Sequence, residues 1–191
     1  SLQDYKDSAL APTLTWTENL KTGVNSVLVA KHNYSLVHDI ALSFDAVLNE
    51  ATNGVANTHT DPTADQYTLL LTLNHVLTGG VANATANAHD NALSLMNEVV
   101  SHKTQLAVDT VSELENLATI VDHLINTTAA TTATNLVTLS ELSTLGLANA
   151  GNSNLANFNQ ANFNTALRAT LDTGADIHTW AQLQALVNAN A

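Results

Sequence analysis

The sequence predicts an all-α fold of about eight helices, arranged as two to three small stacked helical units. Three observations predict it. Apolar residues recur in steps of three and four over long stretches, as in Val37, Ile40, Ala41, Phe44, Val47 and Leu48, which places them on one stripe of a helix with a period of 3.6. Alternating runs that would mark strands are short, and only 26–30 is rich in β-branched residues. A pattern of helix starts also recurs: Thr63, Gln66, Tyr67 and Leu70 return at Thr138, Glu141, Leu142 and Leu145, an offset of 75 residues. Thr110, Glu113, Leu114 and Leu117 return at Thr179, Gln182, Leu183 and Leu186, an offset of 69. Element order is kept while a few residues are gained or lost, which is how repeat architectures diverge.

Taken along the chain, the first clear helix is predicted over 26–50, closed by Asn53-Gly54. A loop at 52–61 leads to Asp61-Pro62, where proline suits a first helical turn. Helices are then predicted over 62–78, 82–103 and 110–125, with Gly79-Gly80 breaking the first from the second. Thr110 and Glu113 have capping-box spacing, in which the hydroxyl accepts from a backbone N–H three residues on and the carboxylate reaches back. The polar, β-branched segment 126–132 separates this unit from the next. The order then returns with helices over 138–145, ending at Gly146, over 153–171, and from Thr179 to Val187, with Gly174 breaking the chain before the last. The organisation expected is a degenerate N-terminal unit at 1–60, a repeat unit at 61–126 and a second at 133–191. Pro12-Thr13-Leu14-Thr15-Trp16 echoes the start at Pro62, so the first segment is either a worn third copy without its last helix or an unrelated helical start.

Composition narrows the function classes. With 191 residues the chain is long enough to bury a sizeable core, and 45% hydrophobic content argues against disorder. Only 12% of residues are charged, against about 25% in ordinary domains, so Asn, Thr, Ser and Gln carry the polar surface. Five Lys and Arg against 17 Asp and Glu give a net charge of −12, which repels phosphate backbones and anionic lipid heads. Nucleic acid is not an expected partner, and membrane insertion is not expected, since no apolar run approaches the ~20 residues of a span. The absence of cysteine excludes disulfides, thiolate metal sites and cysteine catalysis. Ser1 in place of Met, with no basic-then-apolar leader after it, suggests a chain processed or excised from something longer.

Pro62-Thr63 through Tyr67 and Leu70, the Asn-rich run Asn154-Leu155-Ala156-Asn157-Phe158-Asn159, and Thr179-Trp180-Ala181-Gln182-Leu183-Gln184 together resemble the small helical repeats of large, acidic, secreted bacterial surface and adhesin-like proteins. The resemblance covers about two thirds of the chain, best over 138–191 and over 61–125. The helix at 82–103 is longer than such repeats usually carry, and glycine-rich calcium repeats are absent. It implies an extracellular or cell-surface, non-enzymatic structural or adhesive role, with copies of the same chain as partners, and it carries over no catalytic or binding residue.

No residue announces a reaction, and no catalytic or cofactor-binding residue and no cofactor is expected. The eight histidines lack the His-Glu-x-x-His and Glu-x-x-His patterns of metal helices. His75, His89, His102 and His123 are the candidates for an interhelical metal site, weighed against ordinary surface and cap positions. Such a site is the alternative function: a helical bundle holding a small molecule or metal between its helices. Asp172 and Asp176 bracket a short acidic loop with too few oxygens for a calcium cage. No nucleophile elbow or phosphate-binding glycine loop occurs. Asn33-Tyr34-Ser35, Asn83-Ala84-Thr85 and Asn126-Thr127-Thr128 fit the N-glycosylation pattern, which chance also supplies in an Asn- and Thr-rich chain; Asn126 is expected in a loop. Trp16 and Trp180 sit near helix starts, where a ring covers the end of a core or, exposed, stacks on sugar.

Overall fold

The computed structural model describes residues 14–51, 59–81, 85–128, 136–148, 158–170 and 174–190. Among them the chain is all-α, with eight α-helices. These are α1 (Glu18–Lys31), α2 (Val37–Glu50), α3 (Ala64–Leu70), α4 (Ala86–Ser101), α5 (Val111–Thr127), α6 (Leu139–Leu145), α7 (Gln160–Ala169) and α8 (Trp180–Ala189). Short 3-10 turns lie at Tyr34–Leu36, Val76–Thr78 and Gln105–Ala107. No helix among the described residues is long and apolar enough to cross a membrane.

Two compact units form, one from 1–74 with 100–116 and the other from 75–99 with 117–191. Their boundaries fall inside the segment 61–126 that the repeat defines in sequence, whereas 1–60 belongs wholly to the first unit and 133–191 wholly to the second. In the first unit α1 packs on α2, and α2 on α3. Leu20, Val24 and Val27 from α1 and Ile40, Phe44 and Val47 from α2 are all at most 1% exposed, together with Tyr67 and Leu70 of α3. The α1–α2 approach is close enough that a Cβ on Gly23 would collide with the Phe44 ring. Trp16 is buried just ahead of α1, in the covering position its sequence context suggests.

The second unit takes Leu95, Met96 and Val99 from α4 and Val121 and Leu124 from α5. Leu142 and Leu145 of α6, Phe163 and Leu167 of α7, and Leu183 and Val187 of α8 complete its core. Helix α7 packs on α8, and the backbone N–H of Asn159 donates to the Asn190 carbonyl at 2.8 Å, tying the start of one to the end of the other.

The helix starts follow the sequence pattern closely. Thr63 with Gln66, Thr138 with Glu141 and Thr179 with Gln182 each form a reciprocal capping box. Thr110 and Glu113 do the same, the Glu113 N–H donating to the Thr110 hydroxyl at 3.3 Å and the Thr110 N–H to the Glu113 carboxylate at 3.0 Å. Helix α6 ends at Gly146 in the left-handed conformation (φ 94°), as its sequence predicts.

Two predicted helices are corrected. The helix expected over 26–50 is two helices, because α1 begins earlier, at Glu18, and stops at His32, whose backbone is left-handed (φ 52°) and whose N–H closes on the Leu28 carbonyl. No glycine or proline marks that break, and histidine is one of the few side chains that enter this conformation at modest cost. The helix expected over 62–78 ends at Leu70: Leu71 turns extended (ψ 147°), and the chain resumes only as the 3-10 turn at Val76–Thr78. The remaining differences are shifts of a few residues at helix ends. The described helix within the segment expected at 153–171 is Gln160–Ala169, and 151–157 and 171–173 lie outside the described residues.

Candidate functional site

In the first unit, the first turns of α5 meet the outer side of α1. The Ser26 hydroxyl accepts from the Val111 N–H at 2.9 Å and donates to the Gly23 carbonyl at 2.7 Å, so the start of α5 is held by Thr110 and by α1 together. One turn further on, Glu115 faces the segment that follows α3. Its Oε1 accepts from the Thr72 hydroxyl at 2.7 Å, from the Leu73 N–H at 3.0 Å, and from the Thr72 N–H. Lys31, at the end of α1, donates to the Thr68 carbonyl at 2.7 Å and so neutralises an open carbonyl in the last turn of α3. Burial pushes the Lys31 ammonium below its ordinary value, and the nearby Glu115 carboxylate partly offsets that.

These contacts border a groove of about 550 Å³, whose wall includes Asn25, Ser26, Val29, Ala30, Val111 and Glu115. Val29 is 71% exposed there. Groups of this kind grip apolar or hydrogen-bonding surface; the carboxylate is occupied by backbone N–H groups and the hydroxyl by a helix start, so no nucleophile with an attendant base is assembled.

The second unit repeats the device. Gln184 on α8 accepts from the Ala148 N–H at 3.2 Å and donates its amide back to the Ala148 carbonyl. Glu115 and Gln184 are 69 residues apart, and Leu73 and Ala148 are 75 apart. These are the two offsets of the sequence repeat, so the third helix of each copy clamps the backbone after the first helix at a matched position. The readable signal was Thr-x-x-Glu-Leu-Glu at 110–115 against Thr-x-x-Gln-Leu-Gln at 179–184.

Two histidine–carboxylate pairs also lie in this unit. His75, 2% exposed, meets Asp122 Oδ2 through its Nδ1 at 2.8 Å, while Asp122 Oδ1 accepts from the Val76 N–H at 2.9 Å. The carboxylate thereby fixes the ring and opens the 3-10 turn. His123 Nδ1 meets Glu141 Oε1 at 2.6 Å, and the other oxygen of Glu141 caps α6 by accepting from the Thr138 N–H at 2.7 Å. Burial raises the Glu141 carboxyl, but the His123 ring and the two Thr138 donors outweigh it and hold the group below its ordinary value. Asn164, 1% exposed, accepts from the Val137 N–H and donates to the Val137 and Gln160 carbonyls, all at 2.9 Å, pinning the entry to α6 against α7.

The four metal candidates therefore have separate surroundings. His75 faces Asp122, His123 faces Glu141, His89 meets Asp90 at 3.0 Å and exposed His102 meets the Ser101 hydroxyl at 3.2 Å. Among the described residues no group of three or more His, Asp or Glu is placed to share an ion. His32, His38 and His59 are exposed, and the His178 ring meets the Ala175 carbonyl at 2.7 Å. Asp176 is exposed, whereas Asp172 and Asn83 lie outside the described residues. Asn126, expected in a loop, is on the last turn of α5, because Thr127 and Thr128 continue the α5 packing and are buried. Trp180 is half-buried, its backbone N–H donating to Glu98 at 3.4 Å.

Fold and site together define an all-helical chain whose polar side chains clamp and cap a repeated arrangement. Comparisons with protein-family models, with characterised proteins and with solved structures found no match.

Proposed function

We propose that the protein is a non-enzymatic extracellular or cell-surface module, structural or adhesive in role, that assembles with copies of itself through its first compact unit. One observation carries this reading. Among the described residues, the large apolar side chains that are more than 60% exposed, Val29, Tyr34, Leu73 and Leu106, all belong to that unit. Large apolar side chains left this open to water gain free energy when a partner surface covers them. The groove beside Val29 supplies concave surface, and the weak charge density leaves few ions to desolvate on contact. Among the described residues the second unit exposes only Leu139, at 39%, as a large apolar side chain, the more polar face that a capping unit presents.

Sedimentation velocity over a hundredfold concentration range, with negative-stain imaging at the upper end, tests the proposal. Mass-action growth of oligomers or filaments is expected, and Val29→Glu, which places a charge in the groove wall, is expected to weaken association at least tenfold. A monomer at every concentration with no filaments would refute self-assembly.

A further inference from the structure

The three Asn-x-Ser/Thr segments are alike in sequence and unlike in structure. Asn83 and Ala84 lie outside the described residues. Asn126 sits in helical backbone, and the hydroxyl its pattern depends on is committed elsewhere: Thr128, 5% exposed, donates to the Ile125 carbonyl at 2.7 Å. Neighbouring Thr127 is 6% exposed and donates to the His123 carbonyl at 2.7 Å. A transferase reaching Asn126 would have to unwind the end of α5 and empty part of the core.

Asn33 differs on each count. It lies at the junction of α1 and α2, with non-helical backbone (φ −106°, ψ 83°), ahead of the Tyr34–Leu36 turn. Tyr34 is 66% exposed and Ser35 is exposed as well. The Ser35 hydroxyl donates to Asn33 Oδ1 at 2.7 Å. Asn33 itself is half-buried, and among the described residues no hydrogen bond engages its Nδ2. A carboxamide nitrogen is a poor nucleophile because its lone pair is delocalised onto oxygen. A hydroxyl donating to that oxygen stabilises the charge that accumulates there when Nδ2 gives up a proton.

We propose that Asn33 is the site at which the folded protein accepts an N-linked sugar. The donor class is a nucleoside-diphosphate hexose, a soluble donor suited to transfer onto a folded surface. The bond from Asn33 Nδ2 to the anomeric carbon forms as the bond from that carbon to the diphosphate oxygen breaks. The nucleoside diphosphate leaves with the electron pair, and one Nδ2 proton passes to a base of the transferase.

The test incubates the folded protein with a sequon-specific N-glycosyltransferase and UDP-glucose, followed by peptide mapping by mass spectrometry; the same peptides are mapped in protein isolated from its natural producer. One hexose is expected on the Asn33 peptide in the first preparation and a glycan on it in the second. Asn33→Gln removes the modification and Ser35→Ala lowers it at least tenfold, while the Asn126 peptide is modified only after urea unfolding. An unmodified Asn33 in either preparation, or equal labelling of Asn33 and Asn126 in the folded protein, overturns the proposal.

Discussion

Glu141 shows how one side chain serves two contacts at once. One oxygen caps α6 through Thr138, and the other meets the His123 ring, which together hold the carboxyl below its ordinary value of 4.5 against the opposing effect of burial. A carboxylate with a lowered folded-state value adds stability above its unfolded value. That contribution drains away as the pH falls from about 4.5 through the lowered value. Gln66 and Gln182 occupy the matching cap positions, so an amide can make the box without the charge. Glu141→Gln is therefore expected to keep α6 capped and to lower stability near pH 7 by about 1 kcal/mol or less, since solvent screens a carboxylate that is 24% exposed. The difference from the parent should shrink steadily as the pH falls below 4.5. Thermal melts of both proteins between pH 3 and 7 check this, and a gap that persists undiminished at pH 3 would place the effect in packing instead. Asp45 and Asp109, raised chiefly by burial, act with the opposite sign in both proteins and cancel in the comparison.

At the scale of elements, the recurring device is the clamp from the third helix of each repeat to the backbone behind the first. Glu115 receives three hydrogen bonds on one oxygen and Gln184 exchanges two, at positions that match by the repeat offsets. Because an amide does the work in one copy, geometry rather than charge should be what the clamp needs. Glu115→Gln is expected to cost under about 0.5 kcal/mol. Glu115→Ala, which hands two exposed backbone donors back to water, should cost about 0.5–1.5 kcal/mol. Urea unfolding measures both, and an equal loss for the two variants would assign the clamp to charge. Helix starts were legible in the sequence because a cap is written within four residues: Thr63, Thr110, Thr138 and Thr179 all cap as their spacing predicts. The clamp was not, because its partners are more than 35 residues apart and only the fold sets their meeting. The division of 26–50 also escaped, since the apolar stripe continues on both sides of His32 and the break rests on a left-handed residue that is neither glycine nor asparagine. Likewise the His75–Asp122 pair spans 47 residues, and neither sequence neighbourhood hints at the other.

For the whole molecule, the decisive balance is between apolar surface that favours association and a net charge of −12 that opposes it. Five basic residues against 17 acidic ones cannot furnish a salt-bridged interface between identical chains without leaving most carboxylates unpaired. The self-association proposed here, through Val29, Leu73 and their neighbours, would proceed against like-charge repulsion. Salt shortens the reach of that repulsion, to about 10 Å at 0.1 M and about 3 Å at 1 M, while leaving apolar burial intact. Raising sodium chloride from 20 mM to 500 mM is accordingly expected to tighten self-association several-fold, with light scattering at fixed protein concentration as the readout. An interface made of ion pairs would respond in the reverse direction. In Val29→Glu the salt should recover only part of the lost association, because screening removes long-range repulsion and does not restore the apolar contact that the substitution deletes.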